Sequence, residues 1–306
     1  MITAQSPKAS PILRFAPSPT GHLHLGHALS ALVNQDMARR LGGRLLIRIE
    51  DTDATRCRPE HTQAILDDLA WLGVVSEGPV LHQSEHLDDY RRAASRLADM
   101  GLLYPCFATR QEIQAAAVPG VMDPDDAPVY PGLHRGLTFE QIAARKAAGQ
   151  PFALRLDMAR AIERARAIAG DAAFAYTELD GHLIPRRCET HPERWGDVVI
   201  QRKETSASYH LAVVVDDARQ AITHVVRGTD LKAATDIHRL LQVLLGLPQP
   251  VYHHHRLLTD ADGRKLSKRD GDTSLAALRD RGITPAEIRR RIGLDVDIVF
   301  SPFTCL

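Results

Sequence analysis

The first quarter of the chain alternates between short apolar segments and longer segments with helical spacing. Pro11–Phe15 and Arg44–Ile49 are short and apolar, which is typical of buried strands. Between them, Leu25–Leu41 repeats apolar residues every three or four positions and ends at Gly42-Gly43, as helices commonly do. Arg58–Leu72 repeats the helical spacing. The order strand, helix, strand, helix predicts an α/β fold with a parallel sheet and right-handed crossovers.

The pattern changes along the rest of the chain. Prolines, glycines and Ala/Arg-rich segments in 104–195 predict an inserted subdomain between a first half (11–103) and a second half (196–258) of the sheet domain. The second half contains three β-branched segments that we expect to be strands, Asp197–Gln201, Leu211–Val215 and Ile222–Val226, followed by a helix at Leu231–Leu245. The last segment, 259–306, contains a charged loop and two short predicted helices.

Composition limits the classes of protein that fit. Of the 306 residues, 44% are hydrophobic, and 38 Lys and Arg balance 38 Asp and Glu, so a nucleic-acid partner would be bound by local basic patches. Four cysteines in a chain of this length form no disulfide framework. The sequence has neither a signal-peptide core nor a bilayer-spanning apolar stretch. We therefore expect a cytoplasmic protein without a membrane partner, and a monomer.

The first chemical motif is RFAPSPTGHLHLGH, at the junction of the first strand and first helix. His24 and His27 lie three residues apart at the opening of the helix, which predicts that their imidazoles lie on one side. A helix start also provides backbone N–H donors and a positive dipole end, which suit phosphate. Gly26 is expected to leave room for a nucleotide. Alternatively, the two histidines are ordinary surface residues of an amphipathic helix.

The second motif is DGRKLSKRDG, residues 262–271. Glycines at both ends of a basic cluster are typical of a mobile loop. A lysine on such a loop could close over phosphates and cancel the charge that develops in a transition state. The alternative is a solvated basic turn.

Taken together, HLGH and KLSKR resemble the paired HIGH and KMSKS motifs of class I aminoacyl-tRNA synthetases. The resemblance implies a Rossmann-like catalytic domain with an inserted connective subdomain and a short helical C-terminal portion. It implies ATP as a substrate, with Mg²⁺ on its phosphates. It assigns catalysis to His24, His27 and Lys268, and ATP binding to Gly26, Lys265, Ser267 and Lys268.

Further segments resemble the glutamyl-tRNA synthetase group within that family: RFAPSPTG, RIEDTD, LAWLG and ITHVVRGTD. Glutamate has two carboxylates and one ammonium, so its site requires arginines and an acid. Arg14 and Arg227 are the candidate cations, and Glu50 is the candidate acid for the α-ammonium. All three lie at or near predicted strand ends. By resemblance, the pocket also includes Tyr209 and the backbone of Arg14, Phe15, Ala16, Pro17 and Ser18.

The resemblance extends from about Ile12 to Leu294, and the sequence ends soon after Lys268. We therefore expect no anticodon-binding domain. This length and the segment YHHHRLL resemble the shortened members of the family, which attach glutamate to the queuosine base in the anticodon loop of tRNA(Asp). Arg186-Arg187 and 289–291 are candidate phosphate contacts. The alternatives are a truncated glutamyl-tRNA synthetase that charges tRNA(Glu) and a catalytically silent RNA-binding paralogue.

A zinc site of the shortened members is degenerate here. The matching residues are Cys106, Ala108, Tyr130 and His134. One thiolate, one phenol and one imidazole are an incomplete tetrahedral set, so we expect no zinc, although His134 could bind a metal. The histidine run 253–255 is interpreted as structural or close to substrate.

Several acidic residues are left with structural interpretations. We expect Asp51 and Asp53 to cap the following helix. Asp216-Asp217 is interpreted as a turn at a strand end or as a pair that orients a ribose or a lysine.

Overall fold

A computed structural model describes residues 10–203, 207–259 and 274–294. Seven strands form the main sheet: β1 Ile12–Phe15, β2 Arg44–Ile49, β3 Leu81–His82, β6 Ala175–Leu179, β7 Pro185–Glu189, β9 His224–Gly228 and β10 Val251–His255. Their spatial order is β3-β2-β1-β9-β10-β6-β7, and every neighbouring pair is parallel except the antiparallel pair β6–β7. The predicted α/β class with a parallel sheet is confirmed.

A second sheet is small and antiparallel. It consists of β4 Leu103–Cys106, β5 Ala153–Leu156 and β8 Val199–Gln201, in the order β4-β5-β8. Strand pairing therefore crosses the predicted segment boundaries. β6 and β7 belong to the insertion range 104–195 but join the main sheet, whereas β8 belongs to the second half but joins the small sheet. The division into domains itself stays a prediction.

The described residues contain ten α-helices. They are α1 Leu25–Arg40, α2 Pro59–Trp71, α3 Leu87–Asp99, α4 Arg110–Ala116, α5 Phe139–Ala147, α6 Met158–Ala169, α7 Tyr209–Arg219, α8 Thr235–Leu245, α9 Leu275–Asp280 and α10 Pro285–Arg291. One apolar core joins α1, α2, α9 and α10 to the β1 side chains of Leu13 and Phe15. A second core joins α3, α6, α7 and α8. Because side chains alternate along a strand, Arg14 faces α7 rather than α1.

The predicted strand at Leu211–Val215 is wrong, because these residues lie within α7. Ser208 caps this helix, and its hydroxyl accepts the amide N–H of Leu211. Residues 211–214 are all buried, since α7 packs against both α3 and α8. A helix buried on several sides has no polar face, so its apolar run cannot be distinguished from a buried strand by periodicity. Asp216-Asp217 consequently lies on a helix and not at a strand end.

The order of the strands places a switch point beside β1. The chain adds β2 and β3 on one side of β1, and later adds β9 and β10 on the other side. In open parallel sheets, ligands bind outside the carboxyl ends of the strands at such a point. Within the described ranges, no helix has the length and apolar character needed to cross a membrane.

Candidate active site

A cleft of about 440 Å³ opens at the carboxyl ends of β1 and β9. It brings together every residue predicted to bind ATP or glutamate that the structure describes. Its lining includes Arg14, Phe15, Ala16, Pro17, Ser18, His24, Gly26, His27, Glu50, Tyr209 and Arg227. Lys265, Ser267 and Lys268 lie outside the described residues. The cleft is therefore formed at the switch point, by segments separated by some two hundred positions in the chain.

The two histidines meet at the start of α1. His24 is the N-cap, and its Nδ1 accepts the amide N–H of Gly26 at 3.1 Å. The Nδ1 of His27 in turn accepts the amide N–H of His24 at 3.3 Å, and the two ring centroids are 4.0 Å apart. A neutral imidazole that accepts through Nδ1 carries its proton on Nε2. The helix start therefore holds both rings in the tautomer that donates from Nε2, as a phosphate ligand requires.

Gly26 lies against the imidazole of His24. A Cβ at this position would lie 2.9 Å from Cε1 and 3.1 Å from Nδ1 of His24. The His24 imidazole therefore occupies the space that a side chain at position 26 would fill. The glycine allows the ring to fold back onto the helix start and to cap it. Gly26 also lines the cleft, and its part in ATP binding stays a prediction.

One side of the cleft is a buried network of opposite charges. The Arg14 Nε donates to Asp217 at 3.0 Å, and the Arg48 Nη1 donates to the same carboxylate oxygen at 2.8 Å. Arg48 also donates to Glu50 at 3.3 Å and lies 4.0 Å from Asp216. Arg48 is completely buried. We call this group of five residues the charged side of the cleft.

The charged side controls the ionisation of its own members. Burial opposes the charge on Arg48, yet the three surrounding carboxylates raise its pKa above the ordinary value. Burial also raises the pKa of Glu50, and the opposing effects of Arg48 and Arg14 favour its carboxylate. Burial would raise the pKa of Asp217 too, but both arginines act against it and the pKa lies below the ordinary value.

Asp216 links the network to the helices behind the sheet. Its carboxylate accepts hydrogen bonds from Gln83 at 2.7 Å and from the hydroxyl of Tyr90 at 2.9 Å. Arg48 was not recognised as a site residue from the sequence, and for Asp216-Asp217 a turn or an orienting pair were the two alternatives. Arg48 and Glu50 are two positions apart at the end of a strand, and this spacing predicts that both side chains share one face.

The opposite side of the cleft holds Arg227 with uncharged partners. Its guanidinium donates to Thr235 at 2.7 Å, to Nδ1 of His238 at 3.0 Å, to Nε2 of His254 at 3.3 Å and to the Tyr209 hydroxyl at 3.4 Å. Among the described residues, no carboxylate forms an ion pair with Arg227. We call this group of five residues the neutral side of the cleft.

The run of three histidines lies on β10 and is buried. His254 pairs in register with Arg227 on β9, so the two side chains are neighbours on one face. His253 and His255 have other partners, the carbonyl oxygens of Leu179 and Arg256. Of the run, His255 lines the cleft, and His254 contacts Arg227.

The two acidic residues after Glu50 do not cap α2. Asp51 accepts the amide and hydroxyl of Ser84, both at 2.8 Å, and Asp53 accepts from Thr55 and Arg56 in the turn that follows it. The N-cap of α2 is Arg58, which makes no capping hydrogen bond through its side chain. The expectation that Asp51 and Asp53 cap the helix is therefore wrong, because Ser84 uses the carboxylate of Asp51 and the intervening turn uses that of Asp53.

The degenerate zinc positions lie together in the insertion. The Cys106 thiol contacts the Tyr130 hydroxyl at 3.3 Å, and the same hydroxyl accepts the amide N–H of His134 at 2.9 Å. Nδ1 of His134 accepts the amides of Phe107 and Ala108 at 3.1 and 3.2 Å. Within the described ranges, no three His, Cys, Asp or Glu residues form a group that could hold a metal ion. These residues do not fit zinc, since Ala108 provides no ligand atom and Nδ1 of His134 serves the backbone.

A larger cleft of about 1190 Å³ adjoins the first, and Tyr209 and Leu231 line both. Its lining includes five cations: Arg56, Arg110, Arg155, Arg202 and Lys203. The basic runs expected to contact phosphate lie elsewhere. Arg186 pairs with Asp180 at 2.9 Å on the antiparallel edge of the main sheet, and Arg289 pairs with Asp36 at 2.7 Å.

Comparisons with known proteins identify the family. Residues 12–295 match the family described as tRNA synthetases class I (E and Q), catalytic domain. The chain belongs to this family. The match includes both motifs and the whole cleft, so the Rossmann-like class I architecture expected from the sequence is confirmed.

Several relatives within the family are similar over most of the chain. A protein from Rhodobacter capsulatus named glutamyl-Q tRNA(Asp) synthetase is 48% identical over 293 residues, covering 92% of this chain and 100% of the relative. A glutamate–tRNA ligase from Synechococcus is 40% identical over 278 residues, covering 90% of this chain but only 56% of the relative.

Two solved structures are likewise similar over most of this chain, which matches only part of each of those proteins. The glutamate-tRNA synthetase of Elizabethkingia anophelis superposes with a TM-score of 0.73 at 26% identity, covering 93% of this chain and 61% of that protein. A glutamate tRNA ligase from Elizabethkingia meningosepticum, solved with its amino acid, gives a TM-score of 0.72. The chain thus spans about three fifths of these proteins.

Proposed function

We propose that this protein activates L-glutamate with ATP and transfers it to the queuosine base in the anticodon loop of tRNA(Asp). The observation that carries the proposal is the cleft at the switch point. It combines two arginines, a buried acid and a pair of imidazoles at a helix start. The full-length similarity to a relative named glutamyl-Q tRNA(Asp) synthetase supports the choice of acceptor.

The cleft has a complementary group for each charge of glutamate. Arg227, on the neutral side, suits a carboxylate, since no acid among the described residues competes for its charge. Glu50, whose carboxylate accepts a hydrogen bond from Arg48, suits the α-ammonium. Tyr209 lies between the two clefts and closes the pocket against the end of β9. Glutamine lacks the second carboxylate and is expected to be a poor substrate.

In the first step, an oxygen of the glutamate α-carboxylate attacks the α-phosphorus of ATP. The new bond joins this oxygen to phosphorus, and the bond to the bridging oxygen breaks and releases pyrophosphate. ATP enters as its magnesium complex. His24 and His27 would donate from Nε2 to phosphate oxygens as negative charge develops, beside the positive end of α1. By resemblance, Lys268 would supply a further cation.

In the second step, a hydroxyl of queuosine attacks the adenylate carbonyl, an ester forms and AMP leaves. Orientation of the two reactants contributes most of the catalysis in this scheme. The larger cleft, with its five cations, adjoins the glutamate pocket and is the candidate RNA surface. Its phosphate contacts would make binding salt-dependent despite the zero net charge.

A charging assay with labelled glutamate tests the proposal. Three acceptors should be compared: tRNA(Asp) with queuosine, tRNA(Asp) without it, and tRNA(Glu). We expect glutamate-dependent pyrophosphate exchange without any tRNA, and transfer to queuosine-containing tRNA(Asp) alone. Charging of tRNA(Glu) would instead support a truncated glutamyl-tRNA synthetase, and absence of exchange would support a silent RNA-binding paralogue.

A further inference from the structure

We propose that His238 and His254 are positioning residues that hold Arg227 without neutralising it, so that its positive charge selects the second carboxylate of the substrate. The proposal deepens the proposed function and rests on glutamate being bound by Arg227. It assigns roles to two buried histidines that the reaction scheme above does not use.

The geometry of hydrogen bonds determines which nitrogen of each ring carries the proton. Arg227 donates to Nδ1 of His238 at 3.0 Å and to Nε2 of His254 at 3.3 Å. Because a guanidinium only donates, both of these ring nitrogens must be unprotonated. His238 is therefore the tautomer protonated on Nε2, and His254 is the tautomer protonated on Nδ1.

Each remaining N–H has a partner that stabilises this tautomer. Nε2 of His238 lies 3.3 Å from Nδ1 of His210 and donates to it. Nδ1 of His254 lies 2.7 Å from Glu178 and donates to its carboxylate. Hydrogen bonds to Glu178 from His254 and from Lys232 outweigh burial and lower the pKa of Glu178 to about 2. Glu178 therefore remains an acceptor throughout the working range.

The imidazole of His254 lies between the carboxylate of Glu178 and the guanidinium of Arg227. The carboxylate orients the guanidinium through His254, while its own charge is balanced by Lys232 at 2.9 Å. Burial also disfavours protonation of the rings, since the pKa of His238 lies well below its ordinary value and that of His254 is about 4. The remaining partners are the hydroxyls of Thr235 and Tyr209 and the ring face of Tyr252, all uncharged.

Arg14 provides the contrast within the same cleft. Its guanidinium contacts Asp217 directly at 3.0 Å, so its charge is balanced inside the protein. An arginine already paired with an acid gains little from a second carboxylate. An arginine held by imidazoles and hydroxyls retains its charge for the ligand, and this difference makes Arg227 the residue that distinguishes glutamate from glutamine.

A matched pair of variants tests the role of charge. His238→Asn and His238→Asp both place an oxygen near the former Nδ1, and both lose the hydrogen bond to His210. They have the same shape, and they differ in charge and in the amide donor of asparagine. In pyrophosphate exchange, kcat/KM of H238N for glutamate should lie within about tenfold of the wild-type value. The value for H238D should be at least about a hundredfold lower than that for H238N. This is the size expected when the new aspartate repels the carboxylate of the substrate. The KM for ATP should be equal in the two variants.

The ratio of kcat/KM for glutamate to that for glutamine is the decisive quantity. It should decrease in H238D and be retained in H238N, whereas a purely structural role would lower activity towards both amino acids alike. Equal glutamate activation by the two variants would overturn the proposal. If the wild type itself failed to activate glutamate, the proposed function would be wrong instead.

A second measurement applies even if H238D does not fold. Nitrogen-15 NMR of the histidine rings in the unliganded wild type reports each tautomer, with H238N and H254Q providing the assignments. We expect His238 to be protonated on Nε2 and His254 on Nδ1 near neutral pH. The reverse tautomer at either residue would rule out the inferred arrangement.

Discussion

The two sides of the cleft hold their arginines in opposite ways. On the charged side, Arg14 and Arg48 share Asp217, and both aspartates and Glu50 surround Arg48. On the neutral side, Arg227 is surrounded by imidazoles and hydroxyls. The charged side therefore contributes stability and a fixed frame, whereas the neutral side leaves one charge available for a ligand.

The difference also concerns sensitivity to pH and to substitution. A buried ion network is destabilised when one member is removed, because its partners are left as uncompensated charges. An arginine among neutral acceptors can be removed at a lower cost in stability, but the ligand loses its counter-charge. We expect substitutions on the charged side to affect folding, and substitutions on the neutral side to affect substrate choice.

The largest expected effect is that of Arg227→Ala on glutamate activation. The substitution should lower kcat/KM for glutamate by about a thousandfold or more. The carboxylate of glutamate would then enter the site without its partner, and a missing partner for a polar group costs this much in comparable sites. The decrease in kcat/KM should be at least about tenfold smaller for Arg14→Ala, because the charge of Arg14 is already balanced by Asp217. Steady-state pyrophosphate exchange measures both. A larger loss in R14A than in R227A would reverse the comparison.

The charged side should dominate stability. Arg48→Met leaves Glu50 and Asp216 without this cation and Asp217 with Arg14 alone, and it should lower the free energy of unfolding by about 3–5 kcal/mol. Arg186→Met is the matched control, since Arg186 forms an exposed pair with Asp180 and its loss should leave the stability nearly unchanged. Urea unfolding followed by circular dichroism measures both. Equal losses in the two variants would show that Arg48 is not an essential cation of the network.

Mild acid should lower the stability of the protein through the buried histidines on and behind the neutral side. Burial lowers the pKa of His210 and of His254 to about 4, compared with about 6.5 in an unfolded chain. Between these values the unfolded state binds more protons than the folded state, so stability falls as the pH falls from 6.5 towards 4. Each histidine should account for roughly 2 kcal/mol of this loss by pH 4.5.

Asp217 does not contribute in this window. Its pKa is lowered in the folded state, so its stabilising effect is lost only at lower pH, where aspartate itself protonates. His254→Gln retains an acceptor near Nε2 and does not titrate. Urea unfolding at several pH values should therefore give a shallower decline for H254Q than for the wild type. Identical declines would mean that His254 titrates normally.

The start of α1 provides a further test, independent of Arg14 and Arg227. His27→Ala should lower the rate of adenylate formation by about a hundredfold, the usual cost of losing one transition-state donor. It also removes the hydrogen bond to the His24 amide. His27→Gln restores a side chain suited to this capping position but lacks the imidazole. If H27Q were fully active, His27 would act only as a cap. By resemblance, Lys268→Ala should behave like H27A.

The smallest expected effect is that of chelation, which concerns neither side of the cleft. Cys106, Tyr130 and His134 satisfy one another and the backbone. Protein purified without chelator should therefore contain far less than one zinc per chain, and EDTA should leave the Tm unchanged. Metal analysis and thermal unfolding check this. Stoichiometric zinc bound through Cys106 and His134 would contradict the geometry described here.

Prediction from the sequence succeeded where the information is local. The first strand, the histidine pair and α1 follow one another without interruption, and the expected strand at Arg44–Ile49 coincides with β2. Prediction failed at Leu211–Val215, where three consecutive valines favour a strand but α3 and α8 enclose a helix. The capping roles expected of Asp51 and Asp53 were also wrong, because spacing does not reveal the neighbours that use their carboxylates.

The sequence by itself determined the α/β class, the strand–helix junction with its two imidazoles, and the residues from which a glutamate site could be formed. Only the tertiary structure decided how their charges are balanced. Asp217 reaches Arg14 across 203 positions and His254 reaches Arg227 across 27, through a helix placement and a strand register that no local pattern specifies. The strength and availability of a charge depend on such partners and on burial, and both arise only when the distant segments pack together.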